Sequence, residues 1–138
     1  MYSFKYLPSV MSIALIAALN SSPVLADNFL PDVQQQGEIY YITGGIGDEE
    51  TSAMQSERGD YNLQIMNADK QGHFSGYPHI IITDMQHNEL LNADSGPLFY
   101  TNLPSGRYIV EGSSMGQTKS QNIVISGAKT SHVRFVWK

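Results

Sequence analysis

The chain has 138 residues, the length of one domain. It has no cysteine, which excludes a disulfide framework, a thiolate zinc site and a cysteine nucleophile. Thirteen acidic residues against eight Lys and Arg give a net charge of -5, which argues against nucleic acid, whose phosphates call for a basic footprint.

Eight Tyr, five Phe and one Trp, with twelve Gly as punctuation, lean towards β structure. Residues 1–26 have the pattern of a cleaved signal peptide. Lys5 supplies the basic start, residues 10–19 the apolar stretch, and Val24-Leu25-Ala26 the cleavage site. The apolar stretch is shorter than the ~20 residues a bilayer span needs, and no second one follows. The expectation is an exported chain with no membrane span after cleavage, stabilised by its own core.

Residues 27–37, with a Pro and a Gln run, read as a flexible leader, ordered only if Phe29, Leu30 or Val33 docks. Residues 38–138 read as the folded domain. Glu38-Ile39-Tyr40-Tyr41-Ile42-Thr43 is the first strand, ended by Gly44-Gly45-Ile46-Gly47. Residues 48–58 are the one helical segment. Asp48 is the expected N-cap, Glu49 and Glu50 suit the first turn, and Gly59 is the expected stop. Ile46, Ala53 and Met54 would give it a narrow apolar edge.

Residues 61–66 alternate with Tyr61, Leu63 and Ile65 on one face. A turn at 67–72 leads to a short strand or edge at 73–77, closed by Pro78. His79-Ile80-Ile81-Ile82-Thr83-Asp84 is the predicted core strand. It turns at Gln86-His87-Asn88, where Asn88 tolerates the left-handed conformation better than His87, and returns over 89–93. Asp94-Ser95-Gly96-Pro97 is another turn, before a short extended piece at 97–101.

Leu103-Pro104-Ser105-Gly106-Arg107-Tyr108-Ile109-Val110-Glu111-Gly112 is a turn running into a strand. Pro104 suits its first corner and Gly106 its end. Tyr108 and Val110 point one way, so this is the predicted central strand with Tyr108 in the core. Residues 119–125 and 131–137 are the last two strands, the second placing Val133, Phe135 and Trp137 on one face. The pattern predicts an all-β fold, a small antiparallel Ig-like or prealbumin-like β-sandwich of seven to nine strands with one short helix. Pro104, Gly106, Tyr108 and Trp137 are its structural residues.

No motif frames a reaction. Residues 44–47 lack both the spacing and the Lys of a phosphate loop, and three carboxylates follow at once. Asp48, Glu49 and Glu50 are the candidate partner contact, though a solvated helix face is the plainer reading. Their spacing is not that of a calcium loop. His73, His79, His87 and His132 show no metal-ligand spacing. They carry a metal alternative only if they converge, with Met54, Met66, Met85 or Met115 as soft ligands. No serine sits in a nucleophile elbow. Arg58-Gly59-Asp60 spells an adhesion tripeptide but falls at the helix stop. Outward Tyr40, Tyr41, Tyr77 or Tyr100 leave a carbohydrate-binding alternative.

Leu103-Pro104-x-Gly106-x-Tyr108-x-Val110 resembles the LPPGRYTV signature of carboxypeptidase regulatory-like domains, which share the prealbumin (transthyretin-like) sandwich. Pro78-x-Ile80-x-Ile82-x-Asp84 and Asp94-Ser95-Gly96-Pro97 resemble that domain's hairpin and its following turn. Residues 41–49 and Tyr61-Asn62-Leu63 are similar to a group of small exported proteobacterial proteins reading roughly YVSGGVGxDE…YNL. The resemblance implies an accessory binding module without catalytic residues or a cofactor. The hydroxyisourate hydrolases of the same fold end in Tyr-Arg-Gly-Ser, whereas this chain ends Phe135-Val136-Trp137-Lys138. The expected role is therefore a periplasmic or secreted, non-catalytic module that binds a protein or an envelope component.

Overall fold

The computed structural model describes residues 29–73, 77–127 and 129–138. The signal-peptide reading lies outside them, as does most of the edge expected at 73–77. His73 and Tyr77 themselves belong to no strand. Nine strands are described: β1 (Gln34–Gln36), β2 (Ile39–Gly44), β3 (Leu63–Asp69), β4 (His79–Asp84), β5 (Glu89–Asp94), β6 (Leu98–Thr101), β7 (Gly106–Ser114), β8 (Gln117–Ile125) and β9 (Ser131–Trp137). The helix α1 (Asp48–Ser56) and a 3-10 turn (Arg58–Asp60) lie between β2 and β3. The strands form two sheets, a five-stranded one in the order β1-β2-β6-β3-β9 and a four-stranded one in the order β5-β4-β7-β8.

This is the all-β sandwich that the turn spacing predicts. One pair departs from antiparallel: β9 runs parallel to β3, from Leu63 opposite Ser131 to Asp69 opposite Trp137. A tight hairpin cannot join parallel strands. Here β9 arrives from β8 of the other sheet, and Ser131 Oγ still donates to the Val124 carbonyl at 2.8 Å.

The alternation within each strand fills the space between the sheets. Leu63, Ile65, Phe99, Val133, Phe135 and Trp137 face Ile80, Ile82, Leu91, Tyr108, Val110 and Ile123 in one cluster. Tyr41 stacks on Phe99 with ring centroids 4.9 Å apart. Gly112 on β7 gives Phe135 and Trp137 room, since a Cβ there would lie 2.9 Å and 3.1 Å from their ring carbons. A second cluster sits on the outer face of the five-stranded sheet. Met54 of α1 covers Ile42, Leu98 and Tyr100, with Leu30, Tyr61 and Met66 packed around them. β6 is therefore buried on both faces, which its four residues alone do not announce.

Of the predicted structural residues, Trp137 and Tyr108 are in the core. The Tyr108 hydroxyl donates to the Pro104 carbonyl at 2.6 Å, so the turn is tied to the strand it feeds. Gly106 begins β7 with φ 155, and the Tyr108 ring lies 3.6–3.8 Å from where a Cβ would be. β7 is an inner strand, paired with β4 and β8.

Local expectations fail in five places. Residues 34–36 of the expected leader pair with β2, because Leu30 docks and Gln36 exchanges two 2.9 Å hydrogen bonds with the Asn92 backbone. Asp48 is the first helical residue and makes no capping bond; Gly47, at φ 85, is the N-cap. The helix ends at Ser56, and Gly59 sits inside the 3-10 turn rather than in a left-handed stop. Tyr61 joins the outer cluster and not the face of Leu63 and Ile65, because β3 starts only at Leu63. In the β4–β5 hairpin His87, at φ 68, takes the left-handed position expected of Asn88. The Asp84 carboxylate holds that turn by accepting from the Gln86 and Asn88 backbones at 2.9 Å.

A buried polar knot closes one end of the sandwich. Asn67 is fully buried; it donates to the Gly96 carbonyl at 3.1 Å, while its own Oδ1 accepts from Trp137 Nε1 at 3.0 Å. Thr43 Oγ1 accepts from the Gly96 N–H and donates to the Leu98 carbonyl, both at 2.8 Å. Buried polar groups are tolerated when each finds a partner, as here.

Candidate functional site

The predicted contact residues Asp48, Glu49 and Glu50 divide into two roles. Gly45 (φ 98) and Gly47 (φ 85) reverse the chain after β2 in a conformation that side chains resist. Glu50 turns back under this loop, and its Oε1 accepts from the Gly45 N–H at 2.7 Å and the Ile46 N–H at 3.1 Å. Thr51 Oγ1 donates to the Gly45 carbonyl at 2.9 Å. Glu50 is thus a half-buried brace and leaves the expected contact set. Asp48 and Glu49 stay exposed at the start of α1.

The braced loop presents Ile46 to solvent, 54% exposed. Tyr77, 72% exposed, meets it across a concavity of about 330 Å³ that also involves Asp48 and Pro97. On the other side of Asp48 a groove of about 580 Å³ runs along α1, with Phe29, 45% exposed, and Leu30 on its far wall. Asp48 borders both hollows, so Tyr77, Ile46, Asp48, Glu49 and Phe29 form one apolar rim with two carboxylates at its centre. The adjacency of Tyr77 and Phe29 to this loop is not visible in the sequence, where they stand far from it or in a leader.

A further hollow, about 700 Å³, lies where residues 36–39 meet the β4–β5 hairpin and the turn at 102–104, with Tyr108 in its wall. Its carboxylates are Glu38, Asp84 and Glu89. Asp84 is committed to its own turn, and the Asn88 bonds hold its carboxyl below the usual carboxylate range. Burial pushes the Tyr108 phenol up. The hollow is thus largely apolar, through Ile39, Leu90, Leu103 and Tyr108, with carboxylates around it.

The histidines stand on separate elements. His73 follows β3, 3.6 Å from Asp69; His87 is in the β4–β5 turn; His132 is on the exposed face of β9. Among the described residues no group of three His, Asp or Glu side chains is placed to hold a metal ion. Met54 is buried, and Met85 and Met115 are exposed. Arg58-Gly59-Asp60 is the exposed 3-10 turn. Among the described residues no helix is long and apolar enough to cross a membrane.

His79 is held from both sides. Its Nδ1 lies 2.8 Å from Asp94 Oδ1 and its Nε2 meets Asn92 Oδ1, which the Asn92 amide fixes by donating to Glu89. Two accepting oxygens suit a ring that donates from both nitrogens, so the hydrogen bonds to Asp94 and then Asn92 raise the His79 pKa. A raised folded-state pKa stabilises below the ordinary value of about 6.5 and is lost as pH rises through the folded value. The effect is small, because the His79 and Asp94 side chains are 40% and 88% exposed. His79→Gln should therefore lose stability relative to the parent in mildly acidic buffer but not in alkaline buffer. Urea midpoints at several pH values check this; a pH-independent difference would contradict it.

No family model matches the chain, and no curated protein matches it. Among solved structures the chain is similar to the Bacillus anthracis TIE protein, at a TM-score of 0.41 and 15% identity over 55% of this chain. The match spans 16% of that protein's chain.

Proposed function

We propose that the protein is an exported β-sandwich module of the carboxypeptidase regulatory-like type, without catalysis, that binds a protein or envelope component through the rim around residue 46. The observation that carries this reading is the pairing of exposed Tyr77 with exposed Ile46, which sits on a loop that Glu50 and Thr51 brace. Apolar side chains grouped on a surface mark interaction sites more than singly scattered ones do. A rigid loop also loses little entropy on binding. Asp48 and Glu49 beside them suit a partner with basic groups around an apolar spot. The signal-peptide pattern of residues 1–26 and the turn and strand at 103–110 support the export and the module type.

The test is photo-crosslinking from residues 46 and 77 in cells, compared with residue 124, an exposed position on β8. One discrete product from 46 and 77 and none from 124 is expected. Ile46→Ser with Tyr77→Ser should weaken capture of that product about tenfold or more, as loss of an apolar anchor does. Equal labelling from 124, or turnover of ester, peptide or glycoside substrates by the purified protein, would overturn the reading.

A further inference from the structure

Among the described residues, α1 covers one part of the outer face of the five-stranded sheet. α1 and the 3-10 turn lie over β2 and β6 through Met54, and stop short of β9. Between them and β9 runs a groove of about 280 Å³. Gln55 and Arg58 form one wall and His132 and Arg134 the other, with Gln64, Met66 and Tyr100 among the residues beneath.

The charge of this groove is opposite to that of the chain. The protein is acidic, at -5, and has three arginines, of which two line this one groove. Among the described residues no Asp or Glu lines it. Among the described residues neither Arg58 nor Arg134 has a carboxylate oxygen within 4.0 Å, although Glu57 and Asp60 flank Arg58 in the chain. Glu57 borders the groove on the other side of α1 instead. The Gln64 amide donates to the Arg58 backbone carbonyl at 2.8 Å, which ties the 3-10 turn to β3. Arg58 is also close enough to Tyr100 for its charge to oppose the upward push of burial on that phenol. Arg134 and His132 project from alternate positions of β9, so strand geometry puts both on the outer face.

We infer that this groove binds a small organic oxyanion, a carboxylate or phosphate on a compact body, between Arg58 and Arg134. Guanidinium groups bind such oxygens in paired, planar contacts and keep their charge at any working pH. Gln55 and Gln64 can donate to hydroxyl or further acid oxygens. Leu98, Met66 and the Tyr100 ring offer an apolar floor for the body of the ligand. The volume is near the lower limit of about 300 Å³ for small-molecule pockets, which matches a single ring or a short diacid. The site is separate from the rim around Ile46 and does not depend on what that rim binds.

The experiment is an NMR titration of the protein with inorganic phosphate and, separately, with glucuronate. Saturable shifts are expected at the Arg58 and Arg134 side chains and at the amides of Gln64, His132 and Val133. The variant R58Q/R134Q should bind roughly tenfold more weakly or not at all, as expected for loss of charge-assisted contacts. K119Q/K129Q removes the same charge elsewhere and should bind like the parent. Tighter binding of glucuronate identifies a carboxylate ligand, and tighter binding of phosphate a phosphoryl one. Absence of saturation by both anions, or equal weakening in the two double variants, would overturn the assignment.

Discussion

Trp137→Ala should lower the unfolding free energy by about 3–5 kcal/mol, the range for removing a large buried aromatic. Trp137 is fully buried one residue before the chain's last position. Its ring packs against Phe135 at 5.6 Å between centroids, and Lys119 Nζ lies 5.8 Å from its ring centroid. Its N–H also satisfies Asn67 Oδ1, which the substitution would leave buried without a donor. An orphaned buried acceptor adds about 1–3 kcal/mol, partly overlapping with the cavity cost. Against the ~5–15 kcal/mol of a typical domain, this is a large fraction. Urea unfolding followed by far-UV circular dichroism measures it, since the variant has no tryptophan. Trp137→Phe keeps one six-membered ring but loses the rest of the indole with its N–H, so it should cost less than Trp137→Ala while still orphaning Asn67 Oδ1. A Trp137→Ala loss under about 1 kcal/mol would show that β9 is not docked along β3.

Gly96→Ala should cost about 2–3 kcal/mol, at the upper end of overpacking substitutions. A Cβ at Gly96 would lie 2.7 Å from the Gly44 carbonyl oxygen and 3.0 Å from its Cα. Both are backbone atoms, so no rotamer relieves the clash. The Gly96 N–H and carbonyl also belong to the polar knot with Thr43 and Asn67, which restricts movement on its side. The strain must then pass into the end of β2 and the loop that carries Ile46. Gly44→Ala makes a useful contrast. Its Cβ would meet Glu50 Oε1 at 2.6 Å and Pro31 Cγ at 2.9 Å, both side-chain atoms. Glu50 can swing away, at the expense of its bonds to Gly45 and Ile46. Gly96→Ala should therefore lower the urea midpoint more than Gly44→Ala. Both should speed hydrogen exchange at the Gly45 and Ile46 amides. Equal midpoints would show that the 44–96 contact can relax.

The 44–50 segment shows how local signals mislead at a site. Asp48 has the composition of an N-cap, and Glu50 that of a solvated first-turn acid. Gly47 takes the capping position instead, and Glu50 accepts the loop amides five and four residues behind it. Helix propensity predicts that a helix forms here, and it does. It does not predict which carboxylate folds back, because that depends on the left-handed geometry of Gly45 and Gly47 and on packing against Leu98. The His87 turn is similar. His87, uncomfortable at positive φ, is held there by its neighbours, because Gln86 and Asn88 donate three hydrogen bonds to the Asp84 carboxylate.

The sequence by itself determined the class of fold. Alternation of period two, β-branched and aromatic runs, and Gly, Pro and Asn at the turns are local properties, and they mark eight of the nine strands in whole or part. They also mark Tyr108 and Trp137 as core, because each lies on the apolar face of its own strand. Only the tertiary structure decided the parallel pairing of β3 with β9, the burial of β6 on both faces, and the strand made by residues 34–36. It alone placed Tyr77 and Ile46 on one hollow, and Arg58 and Arg134 on one groove. The physical reason is range. A turn or an alternating strand is specified by neighbours along the chain. Pairing partners, and the side chains that share a groove, are chosen by how two sheets and one short helix pack together.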